Sequence, residues 1–401
     1  MEGRAGNFYP QIGIAGTGSY EAFVPRPLPP EPPLQWDIDI IRLLSEADQA
    51  LGRLDGAARN ILNPDLFVAM YVRREAVLSS QIEGTQSTID DVLKYELNEG
   101  FAGLPPDVNE VVNYVRAMNF GLERLASLPL SLRLIREIHG ELLHEVRGAE
   151  RSPGEFRTSQ NWIGVANSPI TRATFVPPPV TEMHTALSDL ERFLHDDSLP
   201  ALVHSALAHA QFETIHPFMD GNGRVGRLLI TFLLVHRSVL HRPLLYLSVF
   251  LKRNRVEYYD RLMAIRRDGD WEGWVRFFLA GVVESAKEAT ESARAINDLR
   301  ERARNLLQSV NAGMRALDLL DILFQRPLVN VNLVKDVLGI AFLTANRLVE
   351  RFVAMGILEE VTGAQRNRMF RYPAYLSIFE EHEESEPERG PEVASTRTAT
   401  S

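Results

Sequence analysis

The sequence predicts a mainly α-helical protein with one short β-hairpin near its middle and a winged helix near its carboxyl end. Apolar residues recur at the three- and four-residue spacing of amphipathic helices through most of the chain. That spacing is interrupted between Arg157 and Pro179, where Trp162, Ile163 and Val165 favour short strands. Two helical segments followed by two short strands then form the pattern that is typical of a winged helix.

Composition and length limit the classes of protein that the sequence can encode. At 401 residues the chain is long enough for two or three domains, and 45% hydrophobic content is that of an ordinary globular protein. A net charge of −10 disfavours non-specific nucleic-acid binding, and the absence of cysteine excludes disulfides and thiolate zinc sites. The longest apolar run, Leu228 to Val235, is far shorter than the roughly 20 residues of a membrane-spanning helix, and the amino terminus lacks a signal sequence. We therefore expect a cytoplasmic protein with no membrane partner.

The amino-terminal third divides into an arm and a helical region. Residues 1–36 contain repeated prolines, which lack a backbone donor and force extended geometry, so the sequence predicts an extended arm. Asp37 is placed to cap a first helix. A second helical pattern runs from Asn63 to Ile82 and ends at Gly84, which completes a helical region over residues 37–106.

Residues 107–290 form the predicted helical core. The interrupted stretch before Pro179 lies inside this range and predicts a β-hairpin, which we call the flap. The helical patterns of the core cover Asp107–Leu125, Leu130–Val146, Thr181–His195, Leu199–Phe212 and Gly223–His236.

Residues 291–375 predict a helical connector and a winged helix. The helix-turn-helix and the two strands of the wing are predicted at Val331–Leu338, Leu343–Ala354, Ile357–Val361 and Arg368–Tyr372. Residues 310–375 carry eight Lys/Arg against six Asp/Glu, a weak positive charge for a DNA reader, so protein contacts or a homodimer interface are alternatives to DNA. Residues 376–401 are rich in Glu, Ser, Thr and Pro, and we expect them to be disordered.

The segment from His216 to Arg227, His-Pro-Phe-Met-Asp-Gly-Asn-Gly-Arg-Val-Gly-Arg, concentrates the chemistry of the chain. Gly221 and Gly223 allow the backbone to approach a ligand closely, and the helix that follows offers unpaired N–H groups to a phosphate. Arg224 lies three residues before Arg227, so both guanidiniums can hold further phosphates. This pattern predicts a polyphosphate site.

Two other side chains of this segment suit transfer chemistry. Asp220 supplies the single carboxylate with which Mg²⁺ often binds phosphates. His216 is suited to accept a proton from an attacking hydroxyl near neutral pH.

The segment resembles the signature of the Fic family, His-Pro-Phe-x-Asp/Glu-Gly-Asn-Gly/Lys-Arg-x-x-Arg, at every defined position. Three further stretches, Pro153–Arg157, Asn161–Gly164 and Phe175–Pro179, are similar to the flap region of that family. Together the similar segments extend from about Tyr20 to Tyr372, so the resemblance implies a Fic core with its flap.

The resemblance implies a protein adenylyltransferase that moves AMP from ATP, with Mg²⁺, to Ser, Thr or Tyr hydroxyls of target proteins, the enzyme itself included. His216 would be the base and Asp220 the metal ligand. Asn222, Arg224 and Arg227 would hold the α-, β- and γ-phosphates. The implied ATP site comprises Asp220, Gly221, Asn222, Gly223, Arg224, Gly226, Arg227, Tyr258 and Tyr259.

Two parts of this site have a structural alternative. Tyr258, Tyr259 and Trp274 suit stacking on an adenine, but aromatic residues at helical spacing also form cores. The flap residues Asn161, Trp162, Ile163 and Gly164 suit docking of an extended target strand, but a hairpin can equally serve to cover the core.

Ser79-Ser80-Gln81-Ile82-Glu83-Gly84 resembles the inhibitory pattern of the same family, Ser/Thr-x-x-x-Glu-Gly/Asn. Because a carboxylate can satisfy a guanidinium, Glu83 against Arg227 would occupy the place of the γ-phosphate. The resemblance thus implies an inhibitory helix, with Ser79, Glu83 and Gly84 as its functional residues, in the same chain as the Fic core.

Other functions share these motifs. The same histidine, metal and phosphate site would serve removal of AMP from a modified target, or transfer of another nucleotide or phosphate-containing group. A regulator that binds DNA and senses nucleotide is a third reading, although a sensor has no need of a base such as His216.

Overall fold

The structure is a computed structural model, and it describes residues 3–12, 18–59, 64–98, 101–146, 149–165, 168–363, 367–380 and 397–398. Fifteen α-helices and seven short strands lie in these ranges, which confirms the mainly helical fold class. None of the helices described is long and apolar enough to cross a membrane.

A β-hairpin replaces part of the predicted extended arm. Strands β1 (Gly6–Ile12) and β2 (Ser19–Pro25) pair antiparallel, so the extended prediction for residues 1–36 was incomplete. The backbone N–H of Phe23 donates to the carbonyl of Val176, which joins β2 to the flap.

Three helices follow the arm: α1 (Ile38–Arg59), α2 (Pro64–Ile82) and α3 (Ile89–Leu97). The carboxylate of Asp37 accepts from the N–H of Ile40 at 2.9 Å, which confirms it as the cap of α1. Helix α3 was not predicted, although Thr88 and Asp91 form a capping box at its start.

The core contains the five predicted helices: α4 (Val108–Leu125), α5 (Leu132–Leu142), α6 (Val180–Leu194), α7 (Ala201–Ile215) and α8 (Asn222–His236). Helix α7 is the centre of the core, since every residue from Leu202 to Ile215 is buried. It packs against α8, and the turn between the two helices carries the residues from His216 to Gly221.

The flap contains less strand than its sequence predicted. Among the flap residues that the structure describes, β geometry is confined to β3 (Asn161–Trp162) and one isolated bridge between Ile163 and Phe175, and a short 3₁₀ turn covers Ile170–Arg172. Strand β7 (Arg397–Thr398), from the carboxyl terminus, pairs antiparallel with β3.

Helices α9 (Ser248–Arg253), α10 (Arg255–Asp268) and α11 (Trp271–Ser309) close the back of the core. Helix α11 is 39 residues long and packs along α1. The predicted domain boundary between residues 290 and 291 therefore falls inside a continuous helix.

Residues 314–371 have the order helix, strand, helix, helix, strand, strand. The elements are α12 (Met314–Gln325), β4 (Leu328–Asn330), α13 (Val331–Leu338), α14 (Phe342–Ala354), β5 (Glu359–Glu360) and β6 (Met369–Arg371). The strands form one sheet in the order β4-β6-β5. This order is compatible with the winged helix, which stays a prediction.

Helix α15 (Pro373–Glu380) overlaps the tail that was predicted to be disordered. Tyr375 and Phe379 are fully buried, and their rings meet edge to face. The prediction of disorder was therefore wrong for residues 376–380 because two aromatic residues anchor them. Residues 381–396 and 399–401 of the predicted tail lie outside the described residues.

Candidate active site

One cavity of about 190 Å³ brings most of the predicted site residues together. Its walls come from the end of α2, the flap, the turn before α8, and α10. Residues of the predicted site that line it are Glu83, Ile163, His216, Asp220, Gly221, Asn222, Gly223, Arg227, Tyr258 and Tyr259.

His216 follows the last residue of α7 in the left-handed conformation, with φ 49° and ψ 59°. Its imidazole lines the cavity, and neither ring nitrogen has a hydrogen-bond partner among the described residues. Burial, with smaller effects from Arg157 and Arg266, lowers the pKa of His216 to about 3. The ring is therefore neutral at physiological pH, as a general base must be.

The turn before α8 has a fixed shape. Gly221 has φ 74°, a left-handed conformation that favours glycine, and it forms the cap of α8. The amide of Asn222 bonds both the N–H and the carbonyl of Phe218, each at 2.8 Å. Asn222 thus shapes the turn in this structure, and the start of α8 faces the cavity as a site for an anion.

A carboxylate lies between the two arginines of this anion site. Glu83 Oε1 is 2.8 Å from Arg227 Nη2, and Glu83 Oε2 is 3.0 Å from Arg224 Nε. Burial would raise the pKa of Glu83, but Arg224 and Arg227 outweigh it, so the pKa is lowered. Glu83 is therefore ionised, and it binds Arg224 as well as the arginine that the sequence pattern implied.

Ser79, one turn before Glu83, also binds Arg227. Its hydroxyl accepts from Arg227 Nε at 2.7 Å, and its carbonyl accepts from Arg227 Nη2 at 2.9 Å. Gly84 ends the helical segment with φ 99°. Ser79, Glu83 and Arg227 are thus one hydrogen-bonded group, and Gly84 lies outside it.

Gly223 and Gly226 have crowded surroundings on α8. A Cβ built on Gly223 would lie 2.4 Å from Glu83 Oε1, and one built on Gly226 would lie 2.4 Å from Glu213 Oε1. Glycine at these positions therefore leaves room for two carboxyl groups, that of Glu83 at the end of α2 and that of Glu213 on α7.

Sequence reasoning missed Glu110, a buried residue of α4. Its carboxylate lies 3.1 Å from Arg224 Nη1 and gives that arginine a second acidic partner. A single glutamate inside an amphipathic helix carries no functional signal in the sequence. Only the packing of α4 against α8 brings it to the site.

Asp220 lies at the mouth of the cavity. Its Oδ1 accepts from the N–H of Gly221 at 2.7 Å, and its Oδ2 is 3.3 Å from Arg151 Nη1. Within the described ranges, no group of three or more His, Cys, Asp or Glu side chains could hold a metal ion. The single carboxylate fits a Mg²⁺ whose other ligands are phosphate oxygens and water.

The aromatic residues divide between cavity and core. Tyr258 and Tyr259 line the cavity with ring centroids 5.0 Å apart, and the hydroxyl of Tyr258 is 3.0 Å from His209 Nε2. Trp274 is fully buried and donates to the carbonyl of Ala206. The core reading therefore holds for Trp274, while the two tyrosines border the space that a nucleotide would fill.

The four predicted flap residues have different surroundings. Ile163 faces the cavity, while Trp162 packs with Ala22 and Val176 beneath the flap. A Cβ on Gly164 would lie 3.2 Å from the backbone of Ala173, so the chain passes itself closely there. The amide of Asn161 donates to the carbonyls of His216 at 3.2 Å and Phe218 at 2.8 Å, a contact that the sequence did not predict.

Comparisons with known proteins agree with this geometry. Residues 41–123 match the model of the Fic/DOC family N-terminal region, and residues 129–234 match the model of the Fic/DOC family. Two relatives named protein adenylyltransferase Fic, from Drosophila virilis and Drosophila grimshawi, are 30% and 29% identical to the chain over 209 residues. The match spans 51% of this chain and 39% of each relative.

A solved structure has the same fold. The crystal structure of a Fic family protein from Desulfovibrio desulfuricans G20 superposes with a TM-score of 0.56. The superposition covers 85% of this chain and 97% of the other, at 21% sequence identity. It therefore supports the likeness of fold alone.

Proposed function

Because the chain carries the N-terminal and Fic domains of the Fic/DOC family, we propose that it is a protein adenylyltransferase held inactive by its own Glu83. The observation that carries this proposal is the neutral imidazole of His216 in one cavity with Arg227 and with Glu83, whose carboxylate also binds the buried Arg224. The name of the relatives, protein adenylyltransferase Fic, supports AMP as the transferred group and a protein as the target at the level of the family.

The transfer is a displacement at the α-phosphorus of ATP. A hydroxyl oxygen of the target forms the new O–P bond, the bond between the α-phosphorus and the bridging oxygen breaks, and pyrophosphate leaves. The hydroxyl proton passes to His216, whose ring is neutral before the reaction. Arg224 and Arg227 would hold the β- and γ-phosphates, and the start of α8 would hold the α-phosphate.

Asp220 is the residue that would hold Mg²⁺. When bound, the ion would neutralise phosphate charge and help pyrophosphate to leave. Arg151 Nη1 lies 3.3 Å from Asp220 Oδ2, and Arg224 Nη2 lies 3.6 Å from Asp220 Oδ1, so two guanidiniums flank the carboxylate beside the phosphate site.

Inhibition follows from competition for the arginines. Glu83 uses one oxygen on each guanidinium, so a nucleotide can place its terminal phosphates there only after the carboxylate leaves. The geometry of Ser79 adds two hydrogen bonds that hold Arg227 toward α2. ATP that bound without displacing Glu83 would lie in an unproductive pose.

The flap is the proposed docking site for the target. In this structure the outer edge of β3 already pairs with a segment of the same chain, β7, so that edge accepts an extended strand. Main-chain pairing is independent of side chains. The targets would therefore have in common an extended segment that carries a hydroxyl side chain, and they would need no common sequence. The enzyme itself is among the targets to test, since its last seven residues contain five Ser and Thr.

The first experiment compares the wild type with Glu83→Gly, His216→Ala and Gln86→Gly. Each protein is incubated with ATP and Mg²⁺, with and without a cell lysate, and AMP increments are measured by intact mass and peptide mapping. We expect Glu83→Gly to raise transfer at least about tenfold, because the arginines become free for phosphates. His216→Ala should show no transfer, and neither should a double variant that carries both Glu83→Gly and His216→Ala.

Gln86→Gly is the matched control. It removes an exposed side chain three residues after Glu83 that contacts neither arginine. It should behave as the wild type. Absence of AMP transfer in every variant would reject the adenylyltransferase, and AMP release from a previously modified target would then favour the reverse reaction. Transfer that is equal in the wild type and Glu83→Gly would reject only the inhibition.

A further inference from the structure

Two buried arginines border the imidazole of His216. Arg157, in the loop before β3, is 1% exposed, and Arg266, on α10, is 6% exposed. Among the described residues, neither forms a salt bridge, although each lowers the pKa of His216. Burial of an unpaired guanidinium is costly unless hydrogen bonds replace its water.

Backbone carbonyls supply those hydrogen bonds to Arg157. Its Nε donates to the carbonyl of His216 at 3.1 Å, and its Nη2 donates to the carbonyl of Pro178 at 2.5 Å. Its Nη1 donates to the carbonyl of Ser159 at 3.2 Å, and its own N–H donates to Pro217 at 2.9 Å. One side chain therefore connects the catalytic turn with both the entry and the exit of the flap.

The carbonyl of His216 has a second donor. Asn161 Nδ2 lies 3.2 Å from it and also donates to Phe218 at 2.8 Å. The left-handed conformation of His216 is unfavourable for a residue with a Cβ, and these donors hold its carbonyl in the required direction. Since the carbonyl carbon and the Cβ are bonded to the same Cα, the donors also help to fix the direction in which the side chain leaves the backbone.

We propose that Arg157 is a positioning residue for the transfer reaction, which holds the base His216 at a fixed place relative to the flap strand on which the target lies. This inference rests on the proposed function. A target hydroxyl held by β3 and a base held by the α7–α8 turn belong to separate segments, and the reaction requires the hydroxyl oxygen and the base nitrogen to lie about 3 Å apart. Arg157 bonds the turn at the carbonyl of His216 and the exit of the flap at the carbonyl of Pro178. Asn161 of β3 adds a second link to the turn.

The charge of Arg157 is secondary to its geometry. The charged or polar groups that face the ring are Arg157, Arg266, Glu83 and the carbonyl of Glu213, and burial has a larger effect than any of them. Because burial remains, loss of one cation leaves His216 neutral above pH 6. The pH dependence of kcat between pH 6 and pH 9 should therefore keep its shape in an Arg157 variant, while its height falls.

The test uses Arg157→Met, Arg157→Lys and Arg136→Met in the full-length Glu83→Gly background. We expect Arg157→Met to lower kcat by about 100-fold and to leave the KM for ATP within about twofold, because Arg157 is not among the residues that line the cavity. Arg157→Lys keeps the charge but cannot span three carbonyls, so its kcat should also fall by more than about tenfold. Arg136→Met is the matched control, since Arg136 also donates to a backbone carbonyl, that of Gly154, without contact to His216.

A second readout does not depend on transfer. Amide hydrogen exchange should become faster in Arg157→Met both in the flap around Asn161 and in the turn at His216, and in neither segment of Arg136→Met. Normal exchange with normal kcat in Arg157→Met would overturn the inference, as would full rescue by Arg157→Lys. If the Glu83→Gly parent transfers no AMP, the proposed function fails, while the exchange result still decides whether Arg157 joins the two segments.

If Arg157→Met does not fold, Asn161→Ala serves in its place. It removes the other donor to the carbonyl of His216, and kcat should fall by about tenfold with the KM for ATP unchanged. An unchanged kcat in that variant would also count against positioning through this carbonyl.

Discussion

At the scale of single residues, the arginines of the site keep partners when Glu83 is absent. Arg227 retains its two contacts with Ser79, and Arg224 retains Glu110. Removal of a buried partner is most costly when it leaves a charge with none. The Glu83→Gly variant should thus remain folded, with both guanidiniums already directed at the phosphate site.

Glu75 gives the inhibitory helix α2 a dependence on pH. Its carboxyl is 3% exposed and accepts from Ser248 at 2.5 Å and from Tyr114 at 3.1 Å. Burial raises its pKa from 4.5 to about 7. Because the folded pKa is the higher one, this group favours folding most below pH 4.5, and that contribution is lost as the pH rises to 7.

We therefore expect Glu75→Gln to be more stable relative to the wild type at pH 8 than at pH 5. The difference should be about 1 to 3 kcal/mol, seen as a gap in Tm that widens by several degrees. Thermal unfolding of both proteins at the two pH values measures it. Glu46→Gln, at an exposed position of α1, is the control, and an equal gap at both pH values would contradict the prediction.

The sequence predicted the site where its residues are contiguous. From His216 to Arg227 the motif is local, so its cavity could be expected in detail. Glu110 and Glu75 could not be expected, because each reaches the site by the packing of a separate helix. Arg157 stood in a recognised stretch, but its three carbonyl partners depend on a backbone path that no spacing reveals.

At the scale of elements, amphipathic helices were predicted to within a few residues, and exceptions have physical causes. Helix α3, which was not predicted, has only nine residues, so its apolar pattern covers little more than two turns. Strand β4 has only three residues and pairs with β6, which is distant in sequence. Short elements that depend on such pairing carry little local signal.

The close packing of α4 against α8 requires a glycine at position 121. A Cβ built on Gly121 would lie 2.4 Å from the ring of Phe232, which is fully buried. We expect Gly121→Ala to destabilise the protein by about 1 to 3 kcal/mol through overpacking. Thermal unfolding measures the change.

Gly52→Ala is the matched control within α1, because nothing lies within 4 Å of its Cβ position. There the substitution should stabilise by about 0.5 to 1 kcal/mol through helix propensity. A loss at Gly52 equal to that at Gly121 would show that crowding against Phe232 is not the cause.

At the scale of the whole molecule, the amino-terminal arm is fastened to the far end of the core. Arg4 Nη1 lies 2.7 Å from Glu272 Oε2, and Arg4 Nε donates to the carbonyl of Pro32 at 2.7 Å. The arginine side chain is 1% exposed. This contact holds the hairpin of β1 and β2 beside the flap.

We expect Arg4→Ala to destabilise the fold by about 3 kcal/mol, because Glu272 would keep a buried charge without its partner. Faster amide hydrogen exchange in β1 and β2 should accompany the lower Tm. Arg42→Ala is the control: its ion pair with Asp39 is 66% and 61% exposed, and its loss should change stability by less than about 1 kcal/mol. Unchanged exchange in the hairpin of Arg4→Ala would show that other contacts hold the arm.

Helix α11 determines how the two halves of the molecule can move. With 39 residues it is about 58 Å long, and it extends from Trp271, one turn before Trp274 beside His209, to Ser309, shortly before α12. A change of angle between the catalytic core and the carboxyl-terminal elements would require this helix to bend or break. The unbroken helix therefore has a constant length. Any molecule bound at the carboxyl-terminal end of α11 would stay at a set distance from the cavity that contains His216.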